Sequence, residues 1–329
     1  MPRRVVRISP NHMDPEYAIE RQELGGDIDL IPWSAEGGEA LGEELQDADA
    51  VMTWRVPITR AVVERLQACR LIIRIGVGFD IVDLDAASER GIPVCNVPDY
   101  CTDEVADHTI GLLLAIARGI VRYNDNMRAG NERWGWSGAA PLYRLAGKRL
   151  GVIGLGRIGT AVARRAAALG LQVAFHDPYV PDGTDKALGL RRLELPQLLA
   201  ESDIVTFHTP LTAETRGMAN TEFFASLKPG ATVLNTSRGA VIDVDALEAA
   251  MREGTVAAAG LDVLPVEPPS PEPGLIRAWR AGEEWVRERL VYTPHSAFYS
   301  EESELEMRAK AARTVRDALE GGGVRNRVN

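Results

Sequence analysis

The amino-acid sequence predicts an α/β protein of two doubly wound parallel sheets, one domain inserted into the other. Three observations carry this. Short β-branched runs alternate with helical stretches from Val5 to Asn96. A second alternating series starts at Lys148 and opens on a glycine-rich turn. A last helical stretch, Ser303–Glu320, then follows at the C-terminus. With 329 residues the chain can bury two separate cores.

Taken in order, Val5–Ile8, Asp49–Thr53, Leu71–Ile75 and Pro93–Asn96 read as strands, with helices at Thr59–Ala68 and Leu84–Arg90. Thr102–Arg118 reads as a long helix, with Thr102 and Asp103 as caps and Val105, Ile110, Leu113 and Leu114 as its apolar stripe. Residues 120–145, rich in Trp, Asn, Gly and Arg, read as irregular. The second series has strands at Leu150–Ile153, Val173–Phe175, Ile204–Phe207, Thr232–Asn235, Ala257–Leu261 and Val291–Tyr292. The last helix then places residues 102–298 as an insertion between 1–101 and 299–329, with hinges at the joins and a ligand cleft between the domains. Pattern alone also allows two consecutive domains split near residue 148.

The turn Gly154-Leu155-Gly156-Arg157-Ile158-Gly159 lies between the strand Arg149–Ile153 and the Ala-rich helix Thr160–Leu169, and a second strand ends at Asp177. This is the strand–turn–helix–strand–acid order of a dinucleotide site. Gly154 permits the tight turn, Gly156 clears the approach of a pyrophosphate, and Gly159 lets helix and strand touch. The helix N-terminus offers N–H groups to the phosphates. Asp177 can accept both ribose hydroxyls and repels a 2′-phosphate, so NAD is expected rather than NADP.

Bulk properties narrow the function. The composition, 45% hydrophobic and 26% charged, is that of a globular protein, and a net charge of −10 excludes a basic field for nucleic acid. No apolar run reaches the length of a membrane span, and the start of the chain lacks the apolar core of a signal peptide. Cys69, Cys95 and Cys101 show neither zinc spacing nor a disulfide framework, so no metal and a cytoplasmic location are expected.

Three later segments put polar residues at strand ends: Asn235-Thr236-Ser237-Arg238-Gly239, Asp262-Val263-Leu264-Pro265-Val266-Glu267, and Thr293-Pro294-His295-Ser296-Ala297-Phe298. Strand carboxyl ends line the crevice of a doubly wound sheet, so Arg, Glu and His should converge there. An Arg can grip a carboxylate, a His can donate a proton to a developing alkoxide, and a carboxylate beside that His would raise its pKa and fix its tautomer. Of the other histidines, His108 reads as packed or capping on its helix, while His176 and His208 read as bordering an adenosine.

These segments, with the glycine turn, Arg74-Ile75-Gly76-Val77-Gly78-Phe79-Asp80 and Asn96-Val97-Pro98, resemble the D-isomer-specific 2-hydroxyacid dehydrogenase family over almost the whole chain. The runs His176-Asp177-Pro178-Tyr179 and Thr293–Glu301 are most similar to its C-terminal-binding-protein branch. The resemblance implies a nucleotide-binding Rossmann domain inserted into a flavodoxin-like substrate domain, and NAD-dependent hydride transfer between a 2-oxo acid and a D-2-hydroxy acid. It also implies roles for individual residues. Arg238 would hold the substrate carboxylate, Glu267 would partner the histidine, and His295 would donate the proton. Val77 and Gly78 would offer backbone N–H groups to the substrate with Arg74 beside them. Asp262 would meet the nicotinamide amide, and Thr209, Pro210, Thr215 and Thr236 would line the cofactor groove. Phe298 stands where that branch carries Trp, which alters the pocket wall. Trp134 and Trp136 fall in a region the family uses as a dimer arm, so a homodimer is implied. The resemblance leaves two alternatives open: an NAD(H)-sensing dimeric binding protein with incidental turnover, and a hydroxypyruvate or glyoxylate reductase.

Overall fold

A computed structural model of the chain describes residues 2–9, 16–34, 45–130 and 134–329. It divides into two compact units, Met1–Cys101 with Tyr299–Asn329, and Thr102–Phe298.

The first unit holds five strands: β1 Arg3–Ser9, β2 Ile28–Ser34, β3 Ala50–Thr53, β4 Leu71–Arg74 and β5 Val94–Cys95, in the order β2-β1-β3-β4-β5. Every pairing is parallel. β3 is buried throughout, and its first three residues, Ala50 to Met52, are apolar, as suits a central parallel strand. The helix Ala18–Leu24 and strand β2 escape the sequence reading. β2 carries Pro32, which an edge strand tolerates and a central one does not, and β2 pairs only with β1. The closing helix is Glu301–Leu319, and Ser300 and Ser303 form a reciprocal capping box at its start. It lies against Ala18–Leu24, where Glu20 is fully buried between Arg7 and Arg308.

The second unit holds seven parallel strands: β6 Arg149–Ile153, β7 Gln172–His176, β8 Arg191–Arg192, β9 Ile204–Phe207, β10 Ala231–Asn235, β11 Val256–Leu261 and β12 Leu290–Tyr292. Their order, β12-β11-β10-β9-β6-β7-β8, turns back at β6, so the crevice between the β6 and β9 ends is the topological switch point. The long helix Thr102–Ala117 packs on β11 at Gly260, where a Cβ would stand 2.8 Å from Leu234 Cδ2 and 3.1 Å from Leu112 Cβ. Residues 120–145 are not all irregular: Ile120–Ala129 is a helix and Trp136–Ala139 a 3₁₀ turn. That helix buries no residue, so it has no apolar stripe for periodicity to reveal. Tyr123 Oη and Asn126 Nδ2 donate to Trp136 O (2.7 Å) and Gly138 O (2.8 Å) and fix the turn to it. Pro268–Arg289 folds into two short helices, Gly274–Arg280 and Glu284–Arg287, with Trp279 edge-on to Tyr292 and Arg252 over Trp285.

Candidate active site

The glycine turn follows β6. Gly154 has φ +89°, and a Cβ there would lie 2.8 Å from His208 O on the β9 side of the switch point. A Cβ on Gly159 would lie 2.1 Å from Gly154 O, so the helix Arg157–Ala168 can sit this close only with glycine. Gly156 differs: a Cβ there meets nothing within 4 Å. Its lack of a side chain serves no contact inside the chain and leaves open space before the helix. The first-turn N–H groups of Arg157 and Ile158 have no partner within the helix. Asp177 accepts from Leu155 N at 2.7 Å and Tyr179 N at 2.8 Å, so it ties the turn to the end of β7.

Past β9, Thr209 Oγ1 and His208 Nδ1 are buried without a hydrogen-bond partner. Burial pushes the His208 imidazole down to about 3, which keeps it neutral. Thr215 Oγ1 donates to Pro210 O at 2.6 Å and accepts from Thr212 N at 2.9 Å, which shapes the loop that follows. An orphaned hydroxyl, a cleared glycine and an open helix N-terminus facing one crevice fit a dinucleotide phosphate.

The chemical residues sit on adjoining strand ends. Asn235, fully buried, donates to Arg238 O at 2.9 Å and accepts from Ser237 N and Oγ, so it folds the turn that presents Arg238. A Cβ on Gly239 would fall 1.9 Å from Leu264 C. That absent methyl lets the Arg238 turn lie against the next loop. There Leu264 N donates to Glu267 Oε1 at 2.8 Å, and Glu267 Oε2 meets His295 Nδ1 at 2.5 Å. Burial pushes the Glu267 carboxyl up, but the His295 hydrogen bond and charge, Leu264 N–H and the Arg238 charge together hold it below its ordinary value. The ionised carboxylate fixes the tautomer with hydrogen on Nδ1 and leaves Nε2 for chemistry. The Phe298 ring stands edge-on to His295, centroids 6.3 Å apart.

Asp262 is 1% exposed and accepts from Thr293 Oγ1 (2.6 Å), Ser296 N (2.9 Å) and Ala297 N (2.9 Å). Both its oxygens thus hold the His295 loop. Thr236 Oγ1 bonds Thr109 Oγ1 at 2.8 Å and His108 Nε2 bonds Thr293 Oγ1 at 2.9 Å, so the helix Thr102–Ala117 supports two of the strand-end loops. Sequence reasoning passed over Asn235, Thr109 and Thr293. The signal was the polar pair His108 and Thr109, which stands directly before the apolar run 110–117 of the helix.

Arg74, Val77 and Gly78 belong to the first unit, just past β4. Arg74 Nη1 donates to Ile75 O at 2.9 Å, folding the guanidinium under Gly76, where a Cβ would strike it at 1.4 Å. Asn96 Nδ2 donates to Val77 O at 2.6 Å, which directs that peptide. Among the described residues no cluster of His, Cys, Asp or Glu could hold a metal ion, and no helix is long and apolar enough to cross a membrane.

Comparison with known proteins shows the family. Residues 110–297 match the model of the D-isomer specific 2-hydroxyacid dehydrogenase NAD-binding domain. The chain is 35% identical to a glyoxylate reductase of Korarchaeum cryptofilum, over 92% of this chain and 89% of that one. It is also 35% identical to a D-3-phosphoglycerate dehydrogenase of Methanocaldococcus jannaschii over 99% of its length, but spans only 59% of that longer relative. The structure is similar to an NADPH-dependent glyoxylate/hydroxypyruvate reductase of Sinorhizobium meliloti solved with NADP and malonate, at 27% identity and TM-score 0.85, covering 100% of this chain and 97% of that one. The chain belongs to the D-isomer specific 2-hydroxyacid dehydrogenase family.

Proposed function

From that membership we propose that the chain is an NAD-dependent oxidoreductase that interconverts a 2-oxo acid and the D-2-hydroxy acid. One observation carries the reading: Glu267 meets His295 at 2.5 Å while the charge of Arg238 bears on the same carboxylate. NADH, when bound, supplies the hydride that the carbonyl carbon receives. Gly154 to Gly159 would cradle its phosphates, Asp177 its ribose, and Thr209, Pro210, Thr215 and Thr236 its groove. Arg238 grips the substrate carboxylate and polarises the adjacent carbonyl. His295 holds a proton at Nε2 and passes it to the carbonyl oxygen as negative charge develops there. In the reverse direction the same nitrogen takes the proton from the alcohol. Glu267 keeps the ring oriented through both. Arg74, Val77 and Gly78 are proposed as further carboxylate contacts, and Phe298 as a pocket wall.

The small acids named for the relatives, glyoxylate and hydroxypyruvate, head the substrate panel. The test is NADH oxidation by purified protein across 2-oxo acids, with NADPH as control. Rapid turnover of one acid supports the reading. Tight NADH binding with negligible turnover of every acid overturns it in favour of an NAD(H)-sensing binding protein.

Two further proposals concern assembly and location. Ile120, Trp134, Trp136 and Tyr143 expose 55%, 77%, 80% and 70% of their surfaces within one short stretch, which suits a homodimer arm. None of the three cysteines forms a disulfide, and burial pushes Cys69 and Cys95 up to about 12 and about 11, which suits a reducing cytoplasm.

A further inference from the structure

His295 occupies a costly backbone conformation. Its φ is +54°, a region that residues with a Cβ rarely adopt. Something must hold the loop there. Its own N–H donates to Asp262 O at 2.7 Å, and the Asp262 carboxylate takes the N–H groups of Ser296 and Ala297. A third hydrogen bond to that carboxylate comes from Thr293 Oγ1, at 2.6 Å.

The direction of the hydrogen bonds follows from counting protons. Thr293 has a single hydroxyl hydrogen, and an ionised carboxylate can only accept, so that hydrogen goes to Asp262. Thr293 Oγ1 must then accept at its other contact, His108 Nε2 at 2.9 Å. His108 therefore carries its hydrogen on Nε2 and donates. The same nitrogen lies 3.7 Å from Asp262 Oδ1, so its positive end also faces the buried carboxylate. His108 stands in the second turn of the helix Thr102–Ala117, a rigid element anchored by buried Val105, Thr109 and Leu112.

We infer that His108 is a positioning residue: it donates to Thr293, fixes the rotamer through which Thr293 holds Asp262, and so keeps the strained His295 loop in its working shape. This rests on the proposed dehydrogenase reading for its kinetic consequence, but not for its structural one. Without the donor, the Thr293 hydroxyl can turn away, Asp262 loses a partner, and the His295 backbone can relax out of the left-handed region. A glutamine can place an N–H near the position of imidazole Nε2, whereas alanine cannot.

The experiment compares His108→Ala and His108→Gln with the parent protein, using NADH and whichever 2-oxo acid the parent turns over fastest. We expect His108→Ala to lower kcat about tenfold, the worth of one hydrogen bond serving a charged group. NADH affinity should stay within about twofold, since the donor touches only the His295 loop, and His108→Gln should recover most of the loss. Nitrogen-15 NMR of the imidazoles supplies a readout independent of turnover. In the parent and in His108→Gln, His295 should show one tautomer with hydrogen on Nδ1; in His108→Ala its signal should broaden or average. Unchanged kcat with an unchanged His295 signal would overturn the inference, and so would equal defects in both variants accompanied by loss of thermal stability. A parent without turnover on any acid would sink the dehydrogenase reading while the NMR comparison still decided the role of His108.

Discussion

Gly156→Ala separates ligand binding from folding more cleanly than any other change in the glycine turn. At φ −74° the backbone accepts alanine without strain, and a Cβ meets nothing within 4 Å. Two small terms act on stability. Alanine reduces the freedom of the unfolded chain, worth about 0.4–1 kcal/mol in favour of the variant. It is also a poorer N-cap than glycine for the helix that starts at Arg157, at a cost of about 0.5–1 kcal/mol. The two offset, so the ligand-free melting temperature should move by less than about 2 °C. Binding should behave differently. The methyl stands where a pyrophosphate must approach the helix N–H groups, and loss of one charge-assisted hydrogen bond costs about 2 kcal/mol, or about 30-fold in affinity. At NADH 100-fold above the parent Kd, the parent gains about 2.7 kcal/mol and the variant about 0.9 kcal/mol. For the unit Thr102–Phe298 these become rises in Tm of about 5–11 °C and about 2–4 °C. Thermal scans with and without NADH measure both. An equal NADH-induced rise in the two proteins would refute the reasoning, as would a variant that melts early without ligand.

Glu267 lies below its ordinary pKa, so it contributes stability above about pH 4.5 that is lost as pH falls through its folded value; Glu267→Gln should show a flatter acid limb in pH-dependent unfolding, and parallel limbs would contradict this. Glu20→Gln removes the buried carboxylate that Arg7 and Arg308 share, leaving Arg308 only Glu304, and should cost about 3–5 kcal/mol in urea denaturation, whereas a change under about 1 kcal/mol would show that the triad is slack. Asp177→Asn removes the charge that repels a 2′-phosphate and should move the NADPH-to-NADH affinity ratio by about tenfold toward NADPH, measured by nucleotide titration; an unmoved ratio would take cofactor choice away from Asp177.

Much of the second unit was legible because its strands are short apolar runs punctuated by residues with special backbone needs. Gly154 and Gly159 are glycine for reasons visible in both sequence and structure, a left-handed turn and a 2.1 Å approach. Arg238, Glu267 and His295 could be singled out as candidates because strand-end polar residues gather at one edge of a parallel sheet. The supporting residues were less legible. Asp262 reads from the sequence as a cofactor contact, and in the structure both its oxygens also hold the His295 loop, a use that depends on long-range pairing with residues 293–297. His108 gave only the weak signal of a histidine on a helix, since its partner Thr293 lies 185 residues away. Gly239 gave none, because only the packed structure brings Leu264 against it. The helix Ile120–Ala129 was hidden for the opposite reason: it buries nothing, so its hydrophobic pattern is silent.

The most direct test is a side-by-side measurement of His295→Gln and the parent, taking kcat for 2-oxo acid reduction and Kd for NADH on the same preparations. Glutamine keeps a polar group in the loop but cannot transfer a proton. We expect kcat to fall by at least about 100-fold, the usual contribution of a positioned general acid, with NADH Kd within about twofold of the parent. Equal losses in rate and NADH affinity, or a variant that reduces the acid at the parent rate, would contradict the role of His295 as proton donor.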